Sequence, residues 1–402
     1  MARDAWDPFK PVAAGAGEPY VERARALAPL IEDAADEIEA TRRLTPAVLD
    51  ALHGAGFFRL LLPRGLGGAE VDPCTFVRVI EQVAAADAST AWCLCQGSGC
   101  SMVAAYLEPG VARRVFGDDP RAVLAWGPGP DARAVAVDGG YRVSGTWSFA
   151  SGCRHATWLG GHCPIVESDG TPRRPRPDGP AARTMLIPAA SATIVDVWHV
   201  SGLRGTASDA FTVSDLFVPR EYAVARDDPA ERRVPGQLYC FPLGSVYASG
   251  FAGLALAIAR RELDALADLA REKTPRGFKR PLAESAVVQM EIGRAEAQLR
   301  SARSFLLGSL AEIWSAVERT GRLDLDQRML IRLAASHAIQ EAKDVVDTAH
   351  HAAGATAIFT SGAFDRRFRD MHAVSQQLQG RRTHYETVGQ FLLGLDADTT
   401  FL

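Results

Sequence analysis

Two aromatic rings, a serine and a glycine turn are crowded into twelve residues: Gly145-Thr146-Trp147-Ser148-Phe149-Ala150-Ser151-Gly152-Cys153-Arg154-His155-Ala156. Read as a strand that turns at Gly152, this segment offers ring faces for stacking. Ser151 and the exposed amides of the turn offer hydrogen bonds to a polar edge. That combination suits a flat aromatic ligand. Trp126-Gly127-Pro128 repeats the pairing of aromatic and glycine upstream. Taken singly, Trp126, Trp147 and Phe149 fit core packing equally well, and Ser151 fits a turn hydroxyl bonding its own backbone.

Other candidates lie further along. His155 and His372 are imidazoles that could move a proton, and Gln377 is an amide that could orient a ligand but not accept a proton near neutral pH. Glu386, in Tyr385-Glu386-Thr387, is a carboxylate that reads equally well as a solvated helix residue. Arg276, Lys279 and Arg280 surround Phe278 and could meet a phosphate or simply be solvated hairpin charge. Seven cysteines run from Cys74 to Cys240 without a C-x-x-C pair, and Cys93, Cys95 and Cys100 have no histidine at ligand spacing. Reduced thiols in a cytoplasmic protein and no metal site are expected. No G-x-G-x-x-G opens a βαβ unit, so the chain is not expected to bind NAD(P)H itself.

These residues must be positioned by helices, then strands, then helices. Residues 21–40 carry apolar positions at helical period, Thr45-Pro46 opens a second helix, and 74–87 and 89–106 read as two more. Alternation over 134–137 and 141–143 around Asp138-Gly139-Gly140 reads as a hairpin. Residues 184–187, 193–198 and 211–218 add strands, and 167–180 reads as an exposed loop. Residues 249–270, 282–320, 326–353 and 383–395 read as bundle helices. A net charge of −4 gives no reason to expect nucleic acid or an anionic membrane. No uninterrupted apolar run is expected to span a bilayer. The first twenty residues, with acids, a Trp and three prolines, do not read as a signal peptide.

This layout resembles the acyl-CoA dehydrogenase superfamily over residues 21–395. The resemblance is carried by Leu62-Pro63-Arg64-Gly65-Leu66-Gly67-Gly68, Gly202-Leu203-Arg204-Gly205-Thr206-Ala207-Ser208, Phe217-Val218-Pro219, Phe278-Lys279-Arg280-Pro281-Leu282, and His350 to Ala355 followed by Arg369-Asp370. The pattern W-x-F-x-S-G-x-x-H-A at 147–156 is more similar to the branch of flavin-dependent monooxygenases. The resemblance implies an α+β fold: an N-terminal helical domain (1–120), a central β-barrel-like domain (121–235) and a C-terminal four-helix bundle (236–402). It implies a flavin between β domain and bundle, bound with help from a neighbouring subunit, in a homotetramer. Phe149 and Ser151 then fall against the isoalloxazine, Trp126 and Gly127 on the preceding strand, and Arg276, Phe278 and Gly354 at further cofactor contacts.

The chemistry so implied belongs to the oxygenase component of a two-component system. A separate NAD(P)H:flavin reductase supplies reduced flavin, FMN or FAD. With O2 this forms a C4a-hydroperoxide that oxygenates a small aromatic or heteroaromatic substrate in a dry pocket. Ser151, His372 and Gln377 are the implied catalytic residues. Gln377 stands where the branch carries a second histidine, so either His372 supplies the imidazole or no base is needed there. Pro275 and Ala286 replace the arginine and glutamine that clamp FAD in the dehydrogenases, which favours FMN or loosely held FAD. Two other readings stay open: a dehydrogenase-like flavoprotein oxidising a thioester, with Glu386 as base, and a non-catalytic scaffold subunit.

Overall fold

A computed structural model describes residues 17–173, 182–400 and 402. The expectations for the N-terminal segment up to residue 16, and for residues 174–180 of the loop, lie outside the described residues. The chain packs as two compact units built from interleaved segments. One comprises residues 17–29, Asp72–Ala88 and Ala248–Leu402, and the other comprises Leu30–Val71 and Ser89–Tyr247.

The N-terminal helices are α1 (Glu18–Thr41), α2 (Pro46–Gly54), α3 (Pro73–Ala86), α4 (Ala88–Ser101) and α5 (Pro109–Ala112). α1 buries Val21, Ala24, Ile31, Ala35 and Ile38, the stripe that its 3.6-residue period predicts. Thr45 caps α2 by accepting from the Val48 amide at 3.3 Å, and Asp72 caps α3 by accepting from Thr75 N at 2.9 Å. Each is followed by a proline in the first turn, where the missing N–H costs nothing. The helix read at 89–106 ends at Ser101 and tightens into a 3-10 turn over Met102–Tyr106.

The strands are β1 (Leu124–Gly127), β2 (Arg133–Val137), β3 (Gly140–Trp147), β4 (Trp158–Val166), β5 (Ala182–Pro188), β6 (Thr193–Val195), β7 (Ala210–Pro219) and β8 (Ala223–Val224). They form one mixed sheet in the order β6-β7-β3-β2-β4-β5-β8, with β1 paired to β4. β4 accepts two parallel neighbours along one edge, β1 opposite residues 158–161 and β2 opposite 165–166. No pairing among the described residues closes this sheet into a ring. Its core holds Val143, Trp147, Leu159, Met185, Ile187 and Phe211. Gly139, at φ +74, makes the β2–β3 turn that its sequence predicts. A register shift between Val143 and Gly145 bends β3 before the 148–156 turn.

The C-terminal helices are α6 (Leu243–Glu272), α7 (Ala286–Thr320), α8 (Leu325–Ala353), α9 (Ala363–Gln376) and α10 (Thr383–Leu392). α7, α9 and α10 all pack on α8, and α3 packs on α7. An Asp324/Gln327 capping box starts α8. Arg303 of α7 forms a two-pronged pair with Glu81 of α3, both bonds at 2.8 Å, around a fully buried carboxylate. α6 corrects one expectation: an 18-residue window reaches a mean hydropathy of 1.3, enough by length and composition to cross a membrane. That window is 94% buried inside the protein, as expected of a core helix.

Candidate active site

The segment 148–156 is a strained turn stitched to two others. Phe149 sits at φ +55, a left-handed conformation that costs a non-glycine residue energy and persists only when surroundings enforce it. The enforcement is visible. Ala150 N donates to Asp209 O at 3.0 Å, Gly152 N to Thr206 O at 2.9 Å, and Ser148 N to Pro128 O at 3.0 Å. A Cβ on Gly127 would lie 1.8 Å from Ser148 O, so only glycine lets the end of β1 approach this turn.

Asp209 is the organiser. Its side chain is fully buried, yet Oδ1 accepts from the amides of Val197 and Trp198, both at 3.0 Å. Oδ2 accepts from Arg154 Nε at 2.6 Å. Beside it, Arg204–Thr206 forms a 3-10 turn between Leu203 (φ +52) and Ala207 (φ +44). Gly205 fits there because a Cβ would fall 2.1 Å from Ile38 Cγ2, and its amide donates to Ser89 Oγ at 3.2 Å.

This framework displays one ring and one hydroxyl. Phe149 is 63% exposed, held on one edge by Trp198 in a T-shaped contact at 5.9 Å. Ser151 is buried, and its Oγ accepts from Trp92 Nε1 at 2.9 Å and lies 2.6 Å from Ser208 Oγ. The other two aromatics fall differently. Trp147 is fully buried in the sheet core, stacked on Phe211 at 5.0 Å, so it is not a pocket wall. Trp126 is buried between His162 (5.2 Å) and the Arg226 guanidinium (4.7 Å). The close approach that Gly127 permits is taken by Ser148 O, so Trp126 and Gly127 have only backbone left to offer a ligand. Gln96 of α4 packs against Tyr247, whose hydroxyl lies 3.5 Å from Gln96 Nε2 and 3.3 Å from Cys100 Sγ. His155 leaves Nε2 buried without a hydrogen-bond partner. Burial, reinforced by His53, pushes its pKa down to about 4, so the ring is neutral near pH 7.

The remaining candidates belong to the helical unit. His372 Nε2 lies 2.8 Å from Asp347 Oδ1 on α8. Because a carboxylate only accepts, Nε2 carries the proton and a neutral ring keeps its lone pair on Nδ1. Phe368 holds the ring at 4.3 Å. Gln377 ends α9 in a tightly fixed turn. Gln340 Nε2 donates to Gly380 O, His384 Nε2 donates to Leu378 O, and the buried Arg332 donates to Gln379 Oε1. Gln377 Oε1 accepts from Gln379 N at 2.9 Å, which fixes the amide orientation and leaves Nε2 buried with no partner. Glu386 is an exposed residue of α10 within 3.4 Å of Gln390 Nε2, the arrangement of a solvated helix glutamate.

Arg276 and Phe278 lie on an exposed hairpin whose Gly277 is at φ +86, and Phe278 is 71% exposed. Lys273 ties this hairpin to the end of α8, donating to Ala353 O at 2.6 Å and Thr356 Oγ1 at 2.8 Å. Gly354 ends that helix at φ +60. The hairpin and Gly354 thus meet at one end of the bundle.

Sequence reasoning gave no role to Thr206, Ser208 or Asp209, although Gly202 to Ser208 was noted as a motif. Their hydroxyl and carboxylate side chains are all buried, which the mixed polar and apolar sequence around them does not signal.

Can these residues hold a flavin? An exposed ring at an enforced positive φ and a buried hydroxyl on the same turn match the flat face and polar edge of an isoalloxazine. Among the described residues, no group of three or more His, Cys, Asp or Glu could hold a metal ion.

Comparison with known proteins agrees. Residues 22–113 match the family model of the acyl-CoA dehydrogenase N-terminal domain, and residues 249–379 that of its C-terminal domain. The chain is 29% identical to an indole-3-acetate monooxygenase of Pseudomonas putida, over 89% of each chain. It is also 29% identical to the oxygenase component of an FADH(2)-dependent resorcinol hydroxylase of Rhizobium sp., over 94% of each. The crystal structure of 3-HSA hydroxylase from Rhodococcus sp. RHA1 superposes with a TM-score of 0.86 at 27% identity, covering 95% of this chain and 98% of that one. The chain belongs to the acyl-CoA dehydrogenase superfamily, and it is similar to members of that fold named as oxygenase components of flavin-dependent hydroxylases and monooxygenases.

Proposed function

We infer that this chain is the oxygenase component of a two-component flavin-dependent monooxygenase acting on a small aromatic or heteroaromatic substrate. The observation that carries the reading is the pairing of exposed Phe149 with the buried Ser151 hydroxyl on one enforced turn. Reduced flavin, when bound, supplies the electrons that activate O2 for transfer of one oxygen atom.

The chain's own residues do the rest. Phe149 supplies a ring face, and Ser151 a hydrogen-bonding atom at the ring's polar edge. Trp126 and Gly127 supply backbone. Arg276, Phe278 and Gly354 are assigned to further cofactor contacts in a homotetramer, and the exposure of Phe278 supports a partner there. His372, braced by Asp347, is the assigned base for a substrate hydroxyl, and Gln377 Nε2 donates a hydrogen bond that orients a ligand. A separate NAD(P)H:flavin reductase supplies the cofactor.

The dehydrogenase reading needs a carboxylate aimed at a thioester, and the exposed Glu386 does not provide one. The test is turnover of phenols and indoles with an unrelated NADH:flavin reductase under labelled oxygen gas. Label in a hydroxylated product supports the reading. Oxidation of an acyl thioester, with no label in any aromatic, refutes it.

A further inference from the structure

Four hydrogen-bond contacts run in series behind the turn. Trp92 Nε1 meets Ser151 Oγ at 2.9 Å, and Ser151 Oγ meets Ser208 Oγ at 2.6 Å. Ser208 Oγ meets Thr206 Oγ1 at 2.7 Å, and Thr206 Oγ1 meets Leu203 O at 2.9 Å. All three hydroxyl residues are buried. The two ends of the series are chemically fixed. An indole N–H only donates, and a carbonyl only accepts.

Four contacts and four hydrogens then admit one fully bonded arrangement. Thr206 spends its proton on Leu203 O, so Ser208 must donate to Thr206. With that proton spent, Ser151 must donate to Ser208. Ser151 Oγ therefore has no proton left for a ligand. It has two lone pairs, of which Trp92 takes one.

We propose that Thr206 and Ser208 are positioning residues that fix Ser151 Oγ as a hydrogen-bond acceptor, so that the site selects dihydroflavin over oxidised flavin. The inference deepens the functional reading and rests on it, because it needs the flavin ring against this turn. Dihydroflavin carries a hydrogen on N5 that such an acceptor receives. Oxidised flavin carries a lone pair on N5, which faces another lone pair. An oxygenase fed by a separate reductase gains from this choice, since the spent cofactor must leave.

The framework explains why the series keeps one direction. Leu203 and Ala207, both at positive φ, bracket the turn that carries Thr206, and Asp209, next to Ser208, is pinned by the amides of Val197 and Trp198. Burial keeps water from supplying competing partners.

The test is anaerobic titration of the protein with oxidised FMN and with photoreduced FMN. The wild-type protein is expected to bind the reduced form about tenfold more tightly or better, about 1.4 kcal/mol. Ser208→Ala and Thr206→Val free the Ser151 proton, and are expected to tighten oxidised FMN and bring the ratio towards one. Thr206→Ser keeps the hydroxyl and is expected to keep the ratio. Equal weakening of both forms in the first two variants, or an unchanged ratio, overturns the proposal. So does a wild-type protein that binds both forms equally. Wild-type protein that binds neither form overturns the functional reading itself. Should the variants fail to fold, FMN isotope-labelled at N5 decides on the wild-type protein. A reduced-state N5–H signal shifted as for a hydrogen-bonded donor supports the proposal, and a signal unchanged from free reduced FMN overturns it.

Discussion

Trp92 donates its indole N–H to Ser151 Oγ at 2.9 Å, joining α4 to the turn that follows β3. Ser151→Ala removes the acceptor that this N–H uses, the acceptor proposed for the cofactor, and the donor that Ser208 receives. Losing one hydrogen bond to the ligand, worth about 0.5–1.5 kcal/mol, predicts reduced-FMN affinity falling roughly 3- to 10-fold. Release of hydrogen peroxide per NADH consumed should rise in the reductase-coupled assay. Unchanged affinity and unchanged peroxide yield would remove Ser151 from the site.

Gln377 offers an oriented but unused amide donor. Gln377→Leu is predicted to cut kcat/KM for the aromatic substrate by about 10- to 100-fold, the cost of an unmet buried hydrogen bond, and to lower the melting temperature by removing the acceptor of the Gln379 amide. Gln377→His puts a titratable ring in the same turn. Its pH–rate profile should acquire an additional step near 6.5 that the wild-type profile lacks.

Acid should destabilise the sheet-bearing unit through His155. Burial lowers its folded pKa to about 4 from 6.5, and His53 beside it is lowered in the same direction. The unfolded chain therefore takes up protons first as pH falls. The stability is fully present above pH 6.5 and is lost progressively down to about pH 4, on the order of 3 kcal/mol. His155→Phe should flatten melting temperature against pH over this window, as followed by circular dichroism.

Glu262 in α6 shows the opposite sign. Its carboxylate is fully buried, with Arg367 Nη1 and His350 Nδ1 no nearer than 3.9 Å. Burial raises its pKa to about 8, offset in part by Arg367. The folded protein holds a proton that the unfolded chain releases above about 4.5. Stability is therefore complete below that pH and falls as pH rises towards 8. Glu262→Gln, which stays neutral, is predicted to raise stability at pH 8 by a few kcal/mol, roughly, and to change it little at pH 4.5. A melting curve at each pH reads this directly.

Glu81 and Arg303 make the contrasting case, a buried carboxylate with full partners. Glu81→Ala leaves the guanidinium without its partner between α3 and α7. The predicted loss is about 3–5 kcal/mol in urea unfolding, far more than an exposed pair such as Arg121–Asp50 would cost.

The helices were largely legible because their signals are local. Thr45-Pro46 predicted a capped start, and the apolar period of α1 predicted its buried stripe. The hairpin at Asp138-Gly139-Gly140 was legible for the same reason. β4 was not read, since Gly160 and Gly161 are poor strand formers. Gly160 is there because a Cβ would strike Trp126, and Gly161 because one would strike Trp147. β6 is shorter than read, because Val197 and Trp198 spend their amides on Asp209 instead of a ladder. The site was half legible. Ser151 and Phe149 stood in a motif, whereas the partners that orient Ser151 come from 59 residues upstream and 57 downstream. No local pattern marks contacts of that range.

The central claim is that this chain takes up reduced flavin and protects it from wasteful oxidation. The most direct measurement is rapid mixing of the anaerobic protein–reduced FMN complex with oxygenated buffer, followed by absorbance. A transient that outlasts the oxidation of free reduced FMN, with peroxide released only as it decays, is the predicted result. Return to oxidised FMN at the rate and peroxide yield of the free cofactor, with and without a phenol or an indole present, would contradict it.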